Sequence, residues 1–198
     1  MSEKILNNNW QIVRIGNEKY FTLIMGQSPP SRTYNIEKNG LPFFQGKAEF
    51  GDFYPTQKKY CTEPSRIAEI DDVLISVRAP VGPTNMANCK CSIGRGLAAI
   101  RCSEKVFPKF LLYALRSIER NIAESVQGQG GGFTSIKKEQ LKEIKIPIPP
   151  IEEQRCIVSR IEKLTSRVEK AKQVLKEVEE EINNFTPSLL TKAFRGDL

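Results

Sequence analysis

The sequence predicts an α+β fold in which a mixed α/β globular domain is followed by a long coiled-coil helix. Residues 1–149 alternate short β-rich segments with turns rich in glycine and proline. From residue 150 onward, apolar residues recur every three or four positions and the positions between them are mostly charged. We therefore predict two parts, a globular domain over 1–149 and a helical part over 150–198.

Within the globular part, five segments have the composition of strands and two have the periodicity of helices. The clearest strand follows an acidic turn and is ended by Pro80 and Gly82. The longer helix should follow Pro108, because Leu111, Leu115, Ile118 and Ile122 then share one face. The predicted strands are 10–16, 21–26, 73–77, 97–101 and 144–148, and the predicted helices are 109–126 and 138–141.

Residues 26–35 are predicted to be a loop, and residues 40–60 are predicted to be short strands and loops. Residues 26–35 are polar and rich in proline, and residues 40–60 mix aromatic residues with glycine and lysine without a helical period. A long irregular stretch in a compact domain is usually either functional or disordered. The aromatic residues of 40–60 argue against disorder.

The helical part carries a heptad repeat. Its two core positions are occupied by Ile161, Val168, Leu175, Ile182 and Leu189, and by Ile157, Leu164, Ala171, Val178 and Phe185. A helix over Ile151–Phe185 would be roughly 52 Å long at about 1.5 Å per residue, which is too long to lie wholly on a small domain. The sequence holds no second helix of that length, so we expect these residues to pair with a second copy or a partner's helix. Packing within one chain remains the alternative.

Beyond the heptads, Thr186 and Pro187 can cap and begin a second short helix that ends at Gly196. We expect Pro187 to kink or break the coil.

Composition excludes several classes of site. The 198 residues contain no histidine, which removes Ser-His-Asp and Cys-His catalysis and histidine-bound metals. The five cysteines fit reduced structural thiols, since the lone C-x-C at 89–91 is a poor zinc signature. No apolar run is long enough to span a bilayer and the N-terminus lacks signal-peptide features, so we expect a cytoplasmic protein.

The net charge of +7 belongs to the globular part, where 21 basic side chains oppose 14 acidic ones over residues 1–150. A basic domain attached to a nearly neutral zipper suggests a polyanionic partner, nucleic acid first. Charge that serves only solubility is the alternative.

Three arginines lie in or beside turns: Arg78, Arg95 and Arg101. Arginine can bind phosphate or guanine through two parallel hydrogen bonds, but a surface salt bridge is the better explanation of any one of these residues. The position of all three at strand–loop junctions modestly favours contact with DNA. The glycine-rich stretch 125–133 adds Gln127 and Gln129, and glutamine can read adenine. This stretch is not a nucleotide-binding P-loop, because it lacks a G-K-[ST] ending and follows a helix.

A carboxylate cluster, Glu69, Asp71 and Asp72, precedes the predicted strand 73–77. Metal-dependent nucleases place acids in this way, but the accompanying lysine beyond a second acid is missing. We interpret the three residues as turn formers and predict no metal site.

Several runs of this sequence resemble, in the same order, the DNA specificity subunits of type I restriction-modification systems. The resemblance covers nearly the whole chain and is most specific where IPIPPIEEQRCIV joins the heptads; the other runs are GQSPPSRTYN, GLPFFQGKAEFG, DDVLISVRAPVGPTNMA, CSIGRGLAAIR and LLTKAFRGDL. The resemblance implies a subunit without catalytic activity that reads DNA and positions adenine methyltransferase and ATP-driven restriction subunits. It implies no cofactor for this chain and S-adenosylmethionine in the methyltransferase.

Family members usually carry two target-recognition domains, each followed by a long helix, with the two helices antiparallel. This chain has one domain and one helix, so the resemblance implies a half-size form that reads half of a split target. An antiparallel homodimer would restore two-fold symmetry and should read an interrupted palindrome. The roughly 52 Å helix exceeds one turn of B-DNA, about 34–36 Å.

From this resemblance and the loop positions, we expect the DNA-reading surface to comprise the loop 26–34, the segment 44–49, the arginine turns and the loop 127–133. The candidate DNA-binding residues are Gln27, Ser28, Arg32, Gln45, Lys47, Arg78, Arg95, Gln127 and Gln129, with Lys137 and Lys138 as candidate phosphate contacts. The candidate dimer residues are Ile157, Ile161, Leu164, Val168, Ala171, Leu175, Val178, Ile182 and Phe185. The tail around Phe194 and Arg195 should contact the methyltransferase or the second copy.

Two other functions stay open. A stand-alone dimeric repressor would use the coil only to dimerise, but the sequence shows no helix-turn-helix. A carboxylate-dependent nuclease is disfavoured by the incomplete acid–lysine pattern and the missing histidine.

Overall fold

The computed structural model describes residues 9–126 and 135–196. The chain divides into two compact units, residues 1–155 and 156–198. The first unit holds all the strands of the described residues and three helices, and the fourth helix begins at its end. The predicted α+β fold class is confirmed.

Eleven strands form three sheets in the first unit. They are β1 (Gln11–Arg14), β2 (Phe21–Met25), β3 (Tyr34–Asn35), β4 (Leu41–Phe44), β5 (Tyr60–Cys61), β6 (Ile67–Ala68), β7 (Val73–Ser76), β8 (Thr84–Met86), β9 (Cys91–Ile93), β10 (Leu97–Cys102) and β11 (Lys145–Ile148). The strand orders are β2-β10-β7-β8, β3-β5-β4-β9-β6 and β1-β11. Every pairing is antiparallel except that of β4 with β9.

The core lies where the four-stranded and five-stranded sheets meet. Strand β7 is buried along its whole length, and three of its four residues are apolar. The central cluster draws residues from both sheets: Phe44, Ala68, Leu74, Ala87, Cys91, Ile93, Leu97 and Ala99. Because β9 and β10 are consecutive and belong to different sheets, the turn between them is fixed from both sides.

The helices of the first unit are α1 (Pro108–Ser117), α2 (Glu119–Val126) and α3 (Lys138–Glu143). The five predicted strands are confirmed within a residue or two, and so is the short helix at 138. The prediction of one helix over 109–126 is wrong, because Ile118 leaves the helical region with φ −115° and ψ 10°. No glycine or proline marks this break, so the periodicity could not reveal it.

The fourth helix, α4, runs without interruption from Ile151 to Arg195. The expectation that Pro187 ends the coil and begins a second helix is therefore wrong, since Pro187 lies inside α4. A proline inside a helix removes one backbone hydrogen bond, but in α4 the residues on both sides of Pro187 remain helical. Among the described residues, no helix is long and apolar enough to cross a membrane.

The beginning of α4 is held by side chains of the first unit. Gln154 is fully buried; its side-chain oxygen accepts from the Phe107 N–H (2.8 Å), and its nitrogen donates to the carbonyls of Lys105 (3.0 Å) and Pro149 (2.8 Å). Next to it, the Trp10 indole N–H donates to Glu153 (3.1 Å). These bonds fix where the first turn of α4 lies on the unit that contains it.

Candidate nucleic-acid interface

Four segments that are far apart in sequence meet at the turn between β9 and β10. The Gly94 N–H donates to the Phe44 carbonyl (2.8 Å), and the Gly96 N–H donates to the Gln45 carbonyl (3.1 Å). The Gly26 N–H donates to the Leu97 carbonyl (2.9 Å), and the Val77 N–H donates to the Gly96 carbonyl (2.9 Å). The turn therefore brings the segments after β2, β4 and β7 to one place.

Glycine is needed where these backbones approach. A Cβ on Gly26 would lie 2.1 Å from the Gly94 oxygen, and one on Gly96 would lie 2.3 Å from the Gln45 oxygen. Both distances are well inside van der Waals contact, so neither Gly26 nor Gly96 can be replaced by a residue with a side chain unless the backbone moves.

The segments enclose a cleft of about 570 Å³. Five of the predicted DNA-binding residues line it: Ser28, Gln45, Lys47, Arg78 and Arg95. All but Ser28 are exposed, and the Ser28 hydroxyl accepts the Arg95 backbone N–H (3.2 Å). The structure thus brings together residues that the sequence separates by up to 67 positions.

The two cleft arginines have no acidic partner among the described residues. Neither Arg78 nor Arg95 forms an ion pair there, although Glu49 lines the same cleft. The Glu49 carboxylate instead accepts the Gly46 N–H (3.0 Å) and holds the short helical turn that carries Lys47. The run KAE that contains Glu49 has no distinctive pattern, so the sequence does not predict this role of Glu49.

Arg101 has a different role. Its guanidinium donates two hydrogen bonds of 2.9 Å to the carboxylate of Asp72, which is buried. Hydrogen bonding to Asp72, opposed in part by burial, raises the pKa of Arg101 above its usual range. Asp72 also accepts the Glu69 N–H (2.8 Å), which agrees with its interpretation as a turn former. Arg101 is therefore committed to structure, and Arg78 and Arg95 are the turn arginines available to a ligand.

Tyr34 supports the cleft from the five-stranded sheet. Its ring stacks on Phe43 with 4.6 Å between centroids, and its hydroxyl donates to the Pro29 carbonyl (2.8 Å). Burial raises the pKa of Tyr34, and the nearby Ser28 hydroxyl and Arg95 charge oppose that rise. The loop that carries Ser28 is thus held at its base.

The segment after the cleft is ordered, as the aromatic residues of 40–60 predict. The Asn85 side-chain amide donates to the Gly51 carbonyl (2.7 Å), and the Met86 N–H donates to the Phe53 carbonyl (3.0 Å). Arg116 of α1 donates to the Asp52 carbonyl and lies 5.7 Å from the Phe53 ring. Three anchors therefore fix residues 51–53 to the four-stranded sheet and α1.

The other predicted DNA-binding residues fall outside the cleft or outside the described residues. Gln27 and Arg32 are exposed on the loop 26–33 but do not line the cleft, and Lys137 and Lys138 are exposed at the start of α3. Gln127 and Gln129 lie outside the described residues. Ser135, the next described residue, forms a β-bridge with Arg78, which lines the cleft.

The described cysteines and acids of the first unit show no metal-binding arrangement. Burial raises the pKa of Cys91 to about 12, and the charges of Cys89, Asp72 and Glu69 add to this. Among the described residues, no group of three or more Cys, Asp or Glu side chains could hold a metal ion.

The predicted dimer residues lie on one face of α4. Ile157 and Ile161 are half-buried, whereas Leu164, Val168, Ala171, Leu175, Val178, Ile182 and Phe185 are exposed. Phe194 is 90% exposed and Arg195 is exposed as well.

Comparison with known proteins gives one family. A family model described as "Type I restriction modification DNA specificity domain" matches residues 7–180. The chain is 45% identical over 188 residues to the putative type I restriction enzyme MjaX specificity subunit of Methanocaldococcus jannaschii, covering 94% of this chain and 44% of that protein. It is also 30% identical over 134 residues to the EcoBI specificity subunit of Escherichia coli, covering 65% and 28% of the two proteins.

Comparison with solved structures also finds type I restriction-modification proteins. The HsdS subunit from Thermoanaerobacter tengcongensis superposes with a TM-score of 0.81 at 45% identity over 100% of this chain and 48% of the other. A chain from a type I restriction-modification assembly gives a TM-score of 0.85 at 46% identity, over 99% and 48%. The chain thus spans about half the length of these two solved chains and 44% of the Methanocaldococcus jannaschii protein.

Proposed function

The chain belongs to the family of type I restriction-modification DNA specificity subunits, and on that premise we propose that it reads one half of a bipartite DNA target and positions adenine methyltransferase subunits there. The expectation from sequence resemblance is thereby confirmed at the level of the family. In this proposal the chain performs no chemistry, and S-adenosylmethionine is bound by the methyltransferase.

The observation that carries the proposal is the cleft with its two arginines free of acidic partners. Sequence-specific reading of DNA needs donors that are held in place by backbone and are free of internal partners. Arg78 and Arg95 satisfy both conditions, because the backbone hydrogen bonds of the β9–β10 turn position them and no described carboxylate neutralises them. Gln45 adds a donor and an acceptor of the kind that reads adenine.

Affinity would come from the positive charge around the cleft. Lys47 lines it, and Lys137 follows Ile136, whose N–H donates to the Val77 carbonyl (3.0 Å) next to Arg78. Contacts of this kind neutralise phosphates without reading sequence, and binding should therefore weaken steeply with salt.

We further propose that two copies associate through α4 as an antiparallel homodimer. The exposed heptad residues supply the surface, and two identical recognition domains would read an interrupted palindrome. The complex, with methyltransferase and restriction subunits, would act in the cytoplasm.

The decisive experiment is to co-express the chain with a type I adenine methyltransferase subunit from the same genome and to map methylated adenines by single-molecule sequencing. We expect co-purification of the two proteins and methylation within an inverted repeat that is split by a fixed gap. An asymmetric methylated sequence would contradict the homodimer. DNA binding without any methyltransferase association would favour the repressor, and magnesium-dependent cleavage by the chain alone would favour the nuclease.

A further inference from the structure

We propose that the second copy binds α4 in one antiparallel register, with the two-fold axis beside Gln173. In this register, called the centred register below, the ten heptad residues from Ile157 to Leu189 all face apolar residues of the second copy. The inference rests on the proposed homodimer and specifies which residues meet in it.

The unpartnered surface is strongly apolar for a surface helix. Leu164, Leu175, Ile182 and Phe185 are each between 60% and 65% exposed. These side chains recur at heptad spacing on one face, and the other positions of the helix between 160 and 185 are charged or polar with one exception, Val174. Such a face is typical of a helix that pairs with another helix.

Among antiparallel arrangements, the centred register is selected because it alone gives all ten heptad residues an apolar counterpart. In an antiparallel pair, the two kinds of heptad core position face each other. The centred register places Ile157 against Leu189, Ile161 against Phe185, Leu164 against Ile182, Val168 against Val178 and Ala171 against Leu175. A shift by one heptad toward the N-terminus sets Phe185 against Gln154, which is already buried with three hydrogen bonds. The opposite shift sets Ile161 against Lys192.

Val174 supplies an independent test, because it lies outside the heptad core and is 57% exposed. In the centred register it flanks the core and meets Val174 of the second copy at the two-fold axis. In the two shifted registers its counterpart is Arg167 or Glu181. Only the centred register therefore gives this side chain an apolar neighbour.

The charged residues that flank the core also favour the centred register. In the centred register Arg167 flanks the core opposite Glu181, and symmetry makes this pair twice. Neither residue has an ion-pair partner within the described part of the chain, so both are available. The register also places Lys172 opposite its own counterpart, and the existing bond from Lys172 to Glu169 (2.8 Å) offsets that repulsion.

The same charges oppose a parallel pair. In a parallel coil a residue at the Arg167 position faces the residue five positions later in the partner, which is Lys172. Val174 would then face Glu179. A parallel dimer thus sets like charges together at Arg167 and loses the apolar contact at Val174.

The experiment is cysteine cross-linking of the full chain, with Cys156→Ser removing the one thiol classed as exposed among the described cysteines. In that background, Val174→Cys and Ile161→Cys are each treated with a short bis-maleimide and separated on denaturing gels. We expect Val174→Cys to give a covalent dimer. Ile161→Cys should stay monomeric, because its counterpart lies 24 residues along the helix, roughly 36 Å away at about 1.5 Å per residue. The double variant Ile161→Cys/Phe185→Cys should cross-link again.

A charge exchange and a mass measurement complete the test. Arg167→Glu should weaken the dimer about tenfold, and adding Glu181→Arg should restore it, since two pairs change sign together. Light scattering without cross-linker tests the homodimer separately from its register. A dimer in which Ile161→Cys cross-links to itself would overturn the register and leave the homodimer intact, whereas a monomeric mass would overturn both.

Discussion

At the scale of the residue, the partner of an arginine decides what that arginine can do. Arg95 precedes β10 and Arg101 lies near the end of the same strand. Arg101 nevertheless donates to a buried carboxylate, whereas Arg95 lies exposed in the cleft. Sequence analysis could place all three turn arginines at strand ends, but not separate them. The carboxylate that engages Arg101 reaches it through the pairing of β7 with β10, which is a long-range property.

Replacement of either cleft arginine by alanine should reduce binding to the cognate half-site by roughly 10- to 100-fold, about 1–3 kcal/mol. Binding to scrambled DNA should fall less, because a base contact contributes only on the correct sequence. Fluorescence anisotropy at fixed salt measures both. Arg66→Ala removes the same charge at an exposed site outside the cleft and serves as the control. Equal losses on cognate and scrambled DNA would identify Arg78 and Arg95 as phosphate contacts only.

Arg101→Gln should destabilise the first unit by about 2 kcal/mol, measured by urea denaturation. The substitution leaves the buried Asp72 carboxylate without its cation, and this costs several kcal/mol at fully buried pairs. The Arg101 side chain is 41% exposed, so water reduces the loss. At the exposed pair Arg120–Glu124, Arg120→Gln should cost less than about 0.5 kcal/mol. Similar losses for the two variants would show that the buried pair contributes no more than a surface pair.

At the scale of the element, the start of α4 depends on one polar side chain. The sequence predicts a helix after Pro149 and Pro150, with acidic residues in its first turn, and the structure agrees. It does not predict that Gln154 is buried, because a glutamine in a heptad helix is usually exposed. Gln154 meets three backbone groups that no other side chain of that turn satisfies among the described bonds.

Gln154→Ala should therefore lower the free energy of unfolding by about 2–3 kcal/mol. The substitution leaves the Phe107 N–H and two carbonyls unpaired, and an unpaired buried group costs about 1–3 kcal/mol. Ser159→Ala, at an exposed position one turn later, should change stability by less than about 0.5 kcal/mol. Chemical denaturation followed by tryptophan fluorescence reports on both, since Trp10 bonds to Glu153. An unchanged midpoint for Gln154→Ala would mean that water replaces the lost bonds.

Elements with a strong local signal were predictable, and those set by distant contacts were not. The strand 73–76 follows from its composition and the turn residues that flank it, and the heptads of α4 follow from periodicity. The break at Ile118 and the continuation through Pro187 have no local signal of that kind. The cleft depends on the parallel pairing of β4 with β9, which no pattern within either strand specifies. Five of the residues that line it were predicted one by one from their turn positions and from the family resemblance, whereas Glu49 was not.

At the scale of the whole molecule, charge and apolar surface are divided between the two units. The excess of positive charge lies in residues 1–150, and the exposed heptad face lies in α4. Recognition of DNA and self-association would therefore use separate surfaces, and each can be altered without the other.

Leu175→Asp should abolish dimerisation, with at least a hundredfold loss, because it places two charges beside the two-fold axis. Binding to a full interrupted palindrome should fall to the level of a single half-site, whereas binding to the half-site itself should not change. Analytical ultracentrifugation and anisotropy measure the two quantities. Lys170→Asp introduces the same side chain at an exposed position outside the heptad core and should leave the dimer intact. A Leu175→Asp variant that stays dimeric would exclude this face as the interface.

The pairing of β1 with β11 has a consequence for how such a protein can change. Gln11 lies opposite Ile148, so the chain enters and leaves the globular part through neighbouring strands. A cassette bounded by these two strands could be exchanged between relatives while both splice points stay side by side. A new target preference could then arise in a single recombination event, with the coil inherited intact.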